Sequence, residues 1–211
     1  MLQHLHQSQW RNWERFYRTN FINSLSGFKS AALIGTINQA GVTNLAIFSN
    51  IVHLGADPSL IGFINRPKAA APHTIQNIEQ NKVYTINSIP AGMIEKAHQT
   101  SAKYNDNISE FDAVGLTPHF LPSVLAPFVE ESPVKYALEL VEIVPITHNN
   151  TFLVIGTITD VLVPSQLIAS DGFIELHKAD VVTTLGIDAY FGTQPLGRFS
   201  YAKPNQPLST I

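Results

Sequence analysis

The chain has 211 residues, with 13 Lys plus Arg against 16 Asp plus Glu, and its charged fraction of 14% lies well below the usual quarter. Neither sign of charge dominates, which argues against nucleic acid and acidic membranes as partners. The sequence contains no cysteine, which excludes disulfides, thiolate metal sites and cysteine nucleophiles and suits a reducing compartment.

The length fits one domain over 1–211, long enough to enclose a core. The N-terminus lacks the pattern of a signal peptide, and no run approaches the roughly 20 apolar residues that span a bilayer. We therefore expect a cytoplasmic protein without a membrane segment. Because 45% of the residues are hydrophobic, we also expect a second subunit to cover some apolar surface.

The first predicted element is an N-terminal helix over 8–22 that packs on the body of the protein. Five aromatic residues in it recur at three- and four-residue steps, the period of a helix with one apolar face. They are Trp10, Trp13, Phe16, Tyr17 and Phe21. At the other end of the chain, the Pro-containing tail over about 204–211 is expected to be loosely held.

Strands and short helices are predicted to alternate through the first half. Segments rich in β-branched and aromatic residues, bounded by Gly, Pro, Asn or Asp, predict strands over 30–37, 43–54, 59–64 and 82–89. Pro72 can open a helix that continues to Gln80, and 91–104 has a helix-forming composition. Ser109 is a candidate N-cap of a further short helix that Gly115 can end.

The second half contains two long alternating segments, 135–146 and 151–163, which predict an antiparallel pair that bends around a barrel. The stretch THNN between them predicts a turn. The expected fold is therefore mainly β, an antiparallel β-barrel with peripheral helices packed outside it.

Several segments, taken in order, resemble the flavin reductase-like family, whose fold is the FMN-binding split barrel. They are GVTNLAIFSN, DPSLIGFINRP, PHTIQNI, TSAK, EF, APFVEESPVKYALEL and LGIDAYFGTQPLGRFSYAKP. The resemblance covers about 24–204. It implies a single flavin reductase-like domain that binds FMN as a homodimer, with the flavin at the interface.

The residue types of the matched segments suit an FMN site. A strand with small residues can bring backbone N–H and C=O groups close to the polar edge of a flavin. Arg66 and the free N–H groups at the start of the following helix suit the phosphate. The predicted cofactor-binding residues are Asn44, Leu45, Ala46, Ile47, Phe48, Ser49, Asn50, Arg66, His73, Thr74, Asn77, Ser101 and Lys103.

Other interpretations of these residues remain open. Without the resemblance, TNLAIFSN is an ordinary strand, and His73 with Thr74 is only a helix opening. Lys103 can equally reach a phosphate of a nicotinamide cofactor. His98 is either a polar helix residue or a residue that faces the nicotinamide or substrate, so it is a weak catalytic candidate and no catalytic residue is assigned. The histidines lack ligand spacing, so no metal site is predicted.

The sequence departs from the family at several positions. PITHNNT stands where many members carry Gly-Asp-His, so no role is carried over to His148. Ile47 replaces a common proline and keeps an N–H that proline lacks. Lys29 stands where other members often have Arg, and its role is left open.

The resemblance implies hydride transfer from NADH or NADPH to the N5 atom of the flavin. Free flavin, a partner oxygenase or another electron-acceptor protein would then take the electrons. One alternative is a flavoredoxin-like FMN electron carrier that a protein reduces, and another is a non-catalytic flavin-binding dimer. The sequence does not distinguish NADH from NADPH.

Overall fold

The computed structural model describes residues 1–70, 72–105 and 107–211. Its main feature is a seven-stranded sheet in which every neighbouring pair is antiparallel. The sheet strands are β2 (Ala32–Ile37), β3 (Thr43–Phe48), β4 (Ile51–Ala56), β5 (Ser59–Asn65), β6 (Val83–Ser88), β9 (Lys135–Ile146) and β10 (Thr151–Leu162). Their order is β3-β2-β6-β9-β10-β5-β4. The predicted mainly β, antiparallel fold is confirmed.

Two smaller sheets and several helices surround it. One small sheet contains β1 (Lys29–Ser30), β11 (Thr183–Leu185) and β12 (Ala189–Phe191), and the other pairs β7 (Pro118–Leu121) with β8 (Val124–Val129). The α-helices are α1 (Gln7–Trp10), α2 (Arg15–Leu25), α3 (Pro72–Asn81), α4 (Ile94–Gln99) and α5 (Glu110–Val114). Short 3₁₀ turns lie at Ala91–Met93, Ser165–Leu167 and Leu176–Ala179. No helix in these described ranges is both long and apolar enough to cross a bilayer.

The sheet rolls up without closing. Its two edge strands, β3 and β4, follow each other in the chain and are joined by Ser49 and Asn50. The rings of Phe48 and Phe63 meet edge-to-face at 5.0 Å inside the roll. The prediction of one strand over 43–54 was therefore wrong, because two polar residues break the pairing there and the chain crosses to the opposite edge of the sheet.

The long hairpin of the second half is confirmed. β9 and β10 pair along their lengths on either side of a turn at 147–150. The register shifts between Ile155 and Gly156 and again between Ile158 and Asp160. Such bulges bend a strand, which is how this pair follows the curve of the roll.

The prediction of a single packed N-terminal helix was wrong. The segment forms two helices, because the Glu14 carboxylate caps α2 by accepting the N–H of Phe16 at 2.8 Å and of Tyr17 at 3.1 Å. Neither helix buries a residue, and Phe16 is 72% exposed. Trp13 packs edge-to-face against Tyr17 and Phe21 within the same segment.

The remaining helices follow the prediction in part. α3 begins at Pro72 as expected, and Gly115 ends α5 in the left-handed conformation that favours glycine. The helix expected over 91–104 stops at Gln99, where the Thr100 hydroxyl donates to Ala97 O at 2.7 Å. Ser109 occupies the N-cap position of α5, but its hydroxyl lies 2.7 Å from Thr43 Oγ1 and makes no capping bond.

Candidate functional site

A cavity of about 360 Å³ lies between the end of β3, the end of α4 and the β11–β12 hairpin. We call it the first cavity. Most of its wall is polar or carries small side chains, and it holds one cationic and one anionic residue. Its lining residues are Ala31, Ala46, Ile47, Phe48, Ser49, Arg66, His98, Thr100, Ser101, Thr184, Ile187, Asp188 and Tyr190.

A second cavity of about 260 Å³ adjoins the first and shares Ala46, Thr100 and Ser101 with it. It extends to the start of α3, where Pro72 and His73 lie, and to Lys103. We call the two cavities together the groove. The groove therefore joins the β3 edge to a helix N-terminus and two cationic side chains, Arg66 at one part and Lys103 at another.

The outer edge of β3 provides backbone donors to the groove. Because β3 is the last strand of its sheet, alternate backbone groups point away from its partner β2. The N–H of Leu45 is one of them, since it donates to the Glu110 Oε2 atom at 2.9 Å. The same alternation directs the N–H group of Ile47 outward. Ile47 thus offers a donor that a proline there would lack.

Asn44, Thr74 and Asn77 meet in a buried hydrogen-bonded cluster with Thr36. The Asn44 amide donates to the hydroxyls of Thr36 and Thr74 at 3.1 and 3.2 Å, and the Asn77 amide donates to Thr36 at 3.0 Å. All four residues are less than a tenth exposed. The cluster fixes the start of α3 against β2 and β3, so these side chains position the groove.

Most of the other predicted site residues line the groove, and Leu45 and Asn50 do not. Ala46, Ile47, Phe48, Ser49, Arg66, His73, Ser101 and Lys103 line the groove, and His98 lines its first cavity. Leu45 points into the core with no exposed surface, so only its backbone faces the groove. Asn50 is exposed outside the groove, and its carbonyl accepts the N–H of Ile64 at 3.2 Å. His148 lies in the β9–β10 turn, away from both cavities.

Sequence reasoning assigned no role to several residues of this region. Glu110 belongs to a matched segment, but nothing in the sequence pairs it with Leu45. Tyr190 also lies in a matched segment, and its hydroxyl is 2.8 Å from His98 Nδ1. Lys29, whose role was open, donates to Gly186 O at 3.2 Å and so ties β1 to the turn of the β11–β12 hairpin.

Burial raises the pKa of the Glu110 carboxyl above its ordinary value of 4.5, and the N–H of Leu45 opposes this shift. The folded chain therefore binds a proton there more tightly than the unfolded chain. That contribution to stability is fully present below the unfolded pKa and is lost as the pH rises through the raised folded pKa.

We expect the wild type to lose stability relative to Glu110→Gln as the pH rises from the unfolded pKa of Glu110 through its folded pKa. The quantity compared is the difference in free energy of unfolding between the two proteins. Urea denaturation of both proteins from about pH 4 to about pH 8 measures it. Parallel pH profiles for the two proteins would contradict the assignment, because only the wild type carries a titrating group at this position.

Among the described residues, no three or more His, Asp or Glu side chains come together in a way that could hold a metal ion. The donors of the groove are backbone N–H groups, hydroxyls, Arg66 and Lys103. This set suits a polar heterocycle and an anion better than it suits a metal.

Comparison with known proteins places the chain in a family. The profile of the flavin reductase-like domain matches residues 26–176. A crystal structure from Shewanella frigidimarina NCIMB 400, of a protein assigned as a flavin reductase with a split barrel domain, is 47% identical with a TM-score of 0.91. The structural match covers 95% of this chain and 100% of the Shewanella chain.

Two further proteins are more distant. Nitrilotriacetate monooxygenase component B from Bacillus cereus has a TM-score of 0.81 at 18% identity, over 92% of this chain and 97% of its own. An uncharacterised protein of Aquifex aeolicus strain VF5 is 29% identical over 115 residues, and the match spans 54% of this chain but only 59% of the Aquifex protein. The family profile covers most of the chain and the Shewanella structure superposes over nearly all of it, so the chain belongs to the flavin reductase-like family and folds as a split barrel.

Proposed function

We propose that the chain binds FMN in the groove and catalyses hydride transfer from NADH or NADPH to the flavin N5 atom. The observation that carries this proposal is the open edge of β3 beside a cavity that continues to the N-terminus of α3. One part of the groove suits a planar heterocycle, and the other suits its phosphate.

The β3 side of the first cavity fits the ring system. The outward N–H group of Ile47 would donate to the polar edge of the isoalloxazine, and the small side chain of Ala46 would let the ring approach the strand. Donors at that edge favour the anionic reduced flavin. FMN, when bound, supplies the two-electron chemistry of the reaction.

The second part of the groove fits the phosphate. Pro72 opens α3, and the ten-residue length of this helix gives its N-terminus a favourable dipole for an anion. Lys103 adds positive charge in this part, which the Glu110 carboxyl also lines, and Arg66 lies in the adjoining first cavity. The buried cluster around Thr36 would hold the helix start in place, which lowers the ordering cost of binding.

The chain's own residues would act mainly by position. Hydride transfer between two stacked rings needs close approach and exclusion of water more than acid or base catalysis. We accordingly assign binding and orienting roles to the groove residues. Reduced flavin would pass its electrons to free flavin, to an oxygenase partner or to another acceptor protein in the cytoplasm.

We also propose that the protein acts as a homodimer with the groove at the subunit interface. Several large apolar side chains are exposed on the single chain close to the β11–β12 hairpin and α2. Phe28 is 63% exposed and packs edge-to-face on Phe191, which is 40% exposed. A second subunit that covers such residues would remove apolar area from water.

The decisive experiment is spectroscopic. Purified protein should bind FMN and show the flavin's visible absorption, and anaerobic addition of NADH or NADPH should bleach it. Flavin binding without bleaching would favour the flavoredoxin-like carrier, which a protein partner would then reduce. Absence of flavin binding would remove both proposals and leave the chain without a cofactor role.

Replacing Arg66 with alanine should weaken FMN binding by about 1.5 to 3 kcal/mol, the range for a hydrogen bond to a charged group. This corresponds to roughly tenfold to a hundredfold in Kd. Quenching of flavin fluorescence on titration measures the change. Lys178→Ala is the control, because Lys178 is an exposed cation that pairs with Glu175 and lines neither cavity, and it should bind FMN normally. Unaltered affinity in Arg66→Ala would remove Arg66 from the phosphate site.

A further inference from the structure

Part of the wall of the first cavity comes from residues 184–190, which lie beyond the span 26–176 that matches the family profile. Hydrogen bonds and strand pairing hold this segment in place. Thr184 Oγ1 donates to Ala189 O at 2.9 Å across the β11–β12 hairpin, and Lys29 Nζ donates to Gly186 O at 3.2 Å. β1 also pairs with β11. These bonds hold the hairpin backbone in place beside the cavity.

Tyr190 is the central side chain of this wall. Its hydroxyl lies 2.8 Å from His98 Nδ1, and the two rings meet edge-to-face at 5.8 Å. Burial, and then the negative charge of Asp188, raise the pKa of the Tyr190 phenol. The phenol is therefore protonated at neutral pH and available as a donor. If His98 donates its Nδ1–H to the phenolic oxygen, the phenol proton is directed to another acceptor.

The charges of the first cavity indicate which kind of ligand carries this hydrogen-bond acceptor. Arg66 also lines this cavity, but the charge that acts on the Tyr190 phenol is that of Asp188. At this wall Asp188 would repel a phosphate or carboxylate, whereas a neutral or cationic ring is tolerated. Ile187 and Ile47 supply apolar surface to the same cavity. This wall of the cavity thus suits a planar ring that carries a carbonyl oxygen and that can become positively charged.

We propose that residues 184–190 form the nicotinamide subsite, in which Tyr190 donates a hydrogen bond to the carboxamide oxygen and His98 holds the phenol in place. Loss of a hydride turns the neutral dihydronicotinamide into a cationic pyridinium, and the Asp188 carboxylate stabilises that charge. The inference rests on the proposed function. Tyr190 and Asp188 would contact the nicotinamide, and His98 is a positioning residue that acts through Tyr190.

Tyr190→Phe removes the donor and keeps the ring. In FMN-loaded protein, this variant should bind NAD⁺ about two- to tenfold more weakly, as expected for one neutral hydrogen bond, while its FMN affinity is unchanged. Tyr201→Phe is the matched control, because Tyr201 is 90% exposed. His98→Ala should weaken NAD⁺ binding to a similar extent, and His98→Gln, whose amide can bond the phenol, should restore part of it.

Asp188→Asn gives a readout that a purely structural role would not move. It should weaken binding of cationic NAD⁺ about two- to fivefold, as expected for an exposed charge, and change the affinity for neutral NADH little. The shift in the ratio of the two affinities is the expected signature. Equilibrium titration of the flavin spectrum measures NAD⁺ binding, and anaerobic stopped-flow measures the apparent NADH affinity.

These outcomes distinguish the nicotinamide subsite from the proposed function on which it rests. A wild type that binds FMN but neither binds NAD⁺ nor is bleached by NADH or NADPH would overturn both. A wild type that is bleached, with Tyr190→Phe and Asp188→Asn unaltered in NAD⁺ binding, would overturn the subsite alone. If the variants instead lose affinity only for a carbonyl-bearing electron acceptor such as menadione, the wall binds the acceptor and the nicotinamide assignment is wrong.

Discussion

Replacing Gly156 with alanine is expected to lower the free energy of unfolding by about 1 to 3 kcal/mol, the usual range for overpacking a core. A Cβ atom at this position would lie 2.3 Å from Tyr84 Oη, 3.0 Å from Tyr84 Cζ and 3.1 Å from Glu139 O. Tyr84 has no exposed surface, and Glu139 O belongs to the neighbouring strand β9, so neither group can move aside cheaply.

The clash should be relieved in part by Tyr84→Phe, which removes the nearest atom and leaves the ring. The Tyr84 hydroxyl is buried and has no hydrogen-bond partner within the described part of the chain. Tyr84→Phe alone should therefore be neutral or stabilising, because it removes an unpaired polar group from the core.

Guanidinium denaturation of the two single variants and the double variant gives a complete thermodynamic cycle. Gly92→Ala is the matched control, since a Cβ there meets nothing within 4 Å. The explanation fails if Gly156→Ala is as stable as Gly92→Ala, or if the double variant is no more stable than Gly156→Ala.

Thr36→Val should lower both stability and cofactor affinity, because Thr36 accepts hydrogen bonds from the buried amides of Asn44 and Asn77. Leaving buried donors unpaired costs about 1 to 3 kcal/mol. The same change would loosen the start of α3 and the strand β3, which frame the two parts of the groove. We therefore expect FMN to bind roughly tenfold more weakly, a loss of about 1.4 kcal/mol.

Two variants control this result. Thr36→Ser keeps the hydroxyl that the amides need and should retain most of the FMN affinity. Thr157→Val makes the same substitution on β10, remote from the groove, and should bind FMN normally. Thermal denaturation and FMN titration provide the two readouts, and a Thr36→Val protein that matches Thr36→Ser in both would show that the cluster does not support the site.

Local patterns predicted the elements whose pairing is close in sequence. The β9–β10 hairpin follows from two alternating segments joined by a turn, and the end of α5 follows from a glycine in the left-handed conformation. In both cases the deciding contacts lie within a few residues of each other. Most of the predicted cofactor-binding residues also lie together in the structure. They were found because the family's segments occur in the same order along this chain.

The same local reasoning was wrong where a distant contact or a cap decides the outcome. The alternation over 43–54 does not reveal that the sheet rolls up and that its edges separate at Ser49 and Asn50. The aromatic period over 8–22 does not reveal that Glu14 caps a new helix. Each error has the same cause, since periodicity reports which residues share a face and not where the chain changes partner.

The amino-acid sequence by itself determined the mainly β character of this protein, its long hairpin and, through the order of its motifs, its family. Only the tertiary structure decided which side chains meet in the groove. Glu110 reaches the β3 backbone from 65 residues away, and His98 meets Tyr190 across 92 residues. Such contacts depend on how the sheet curls and how the helices close over it, and short-range propensities carry no information about distances of that kind.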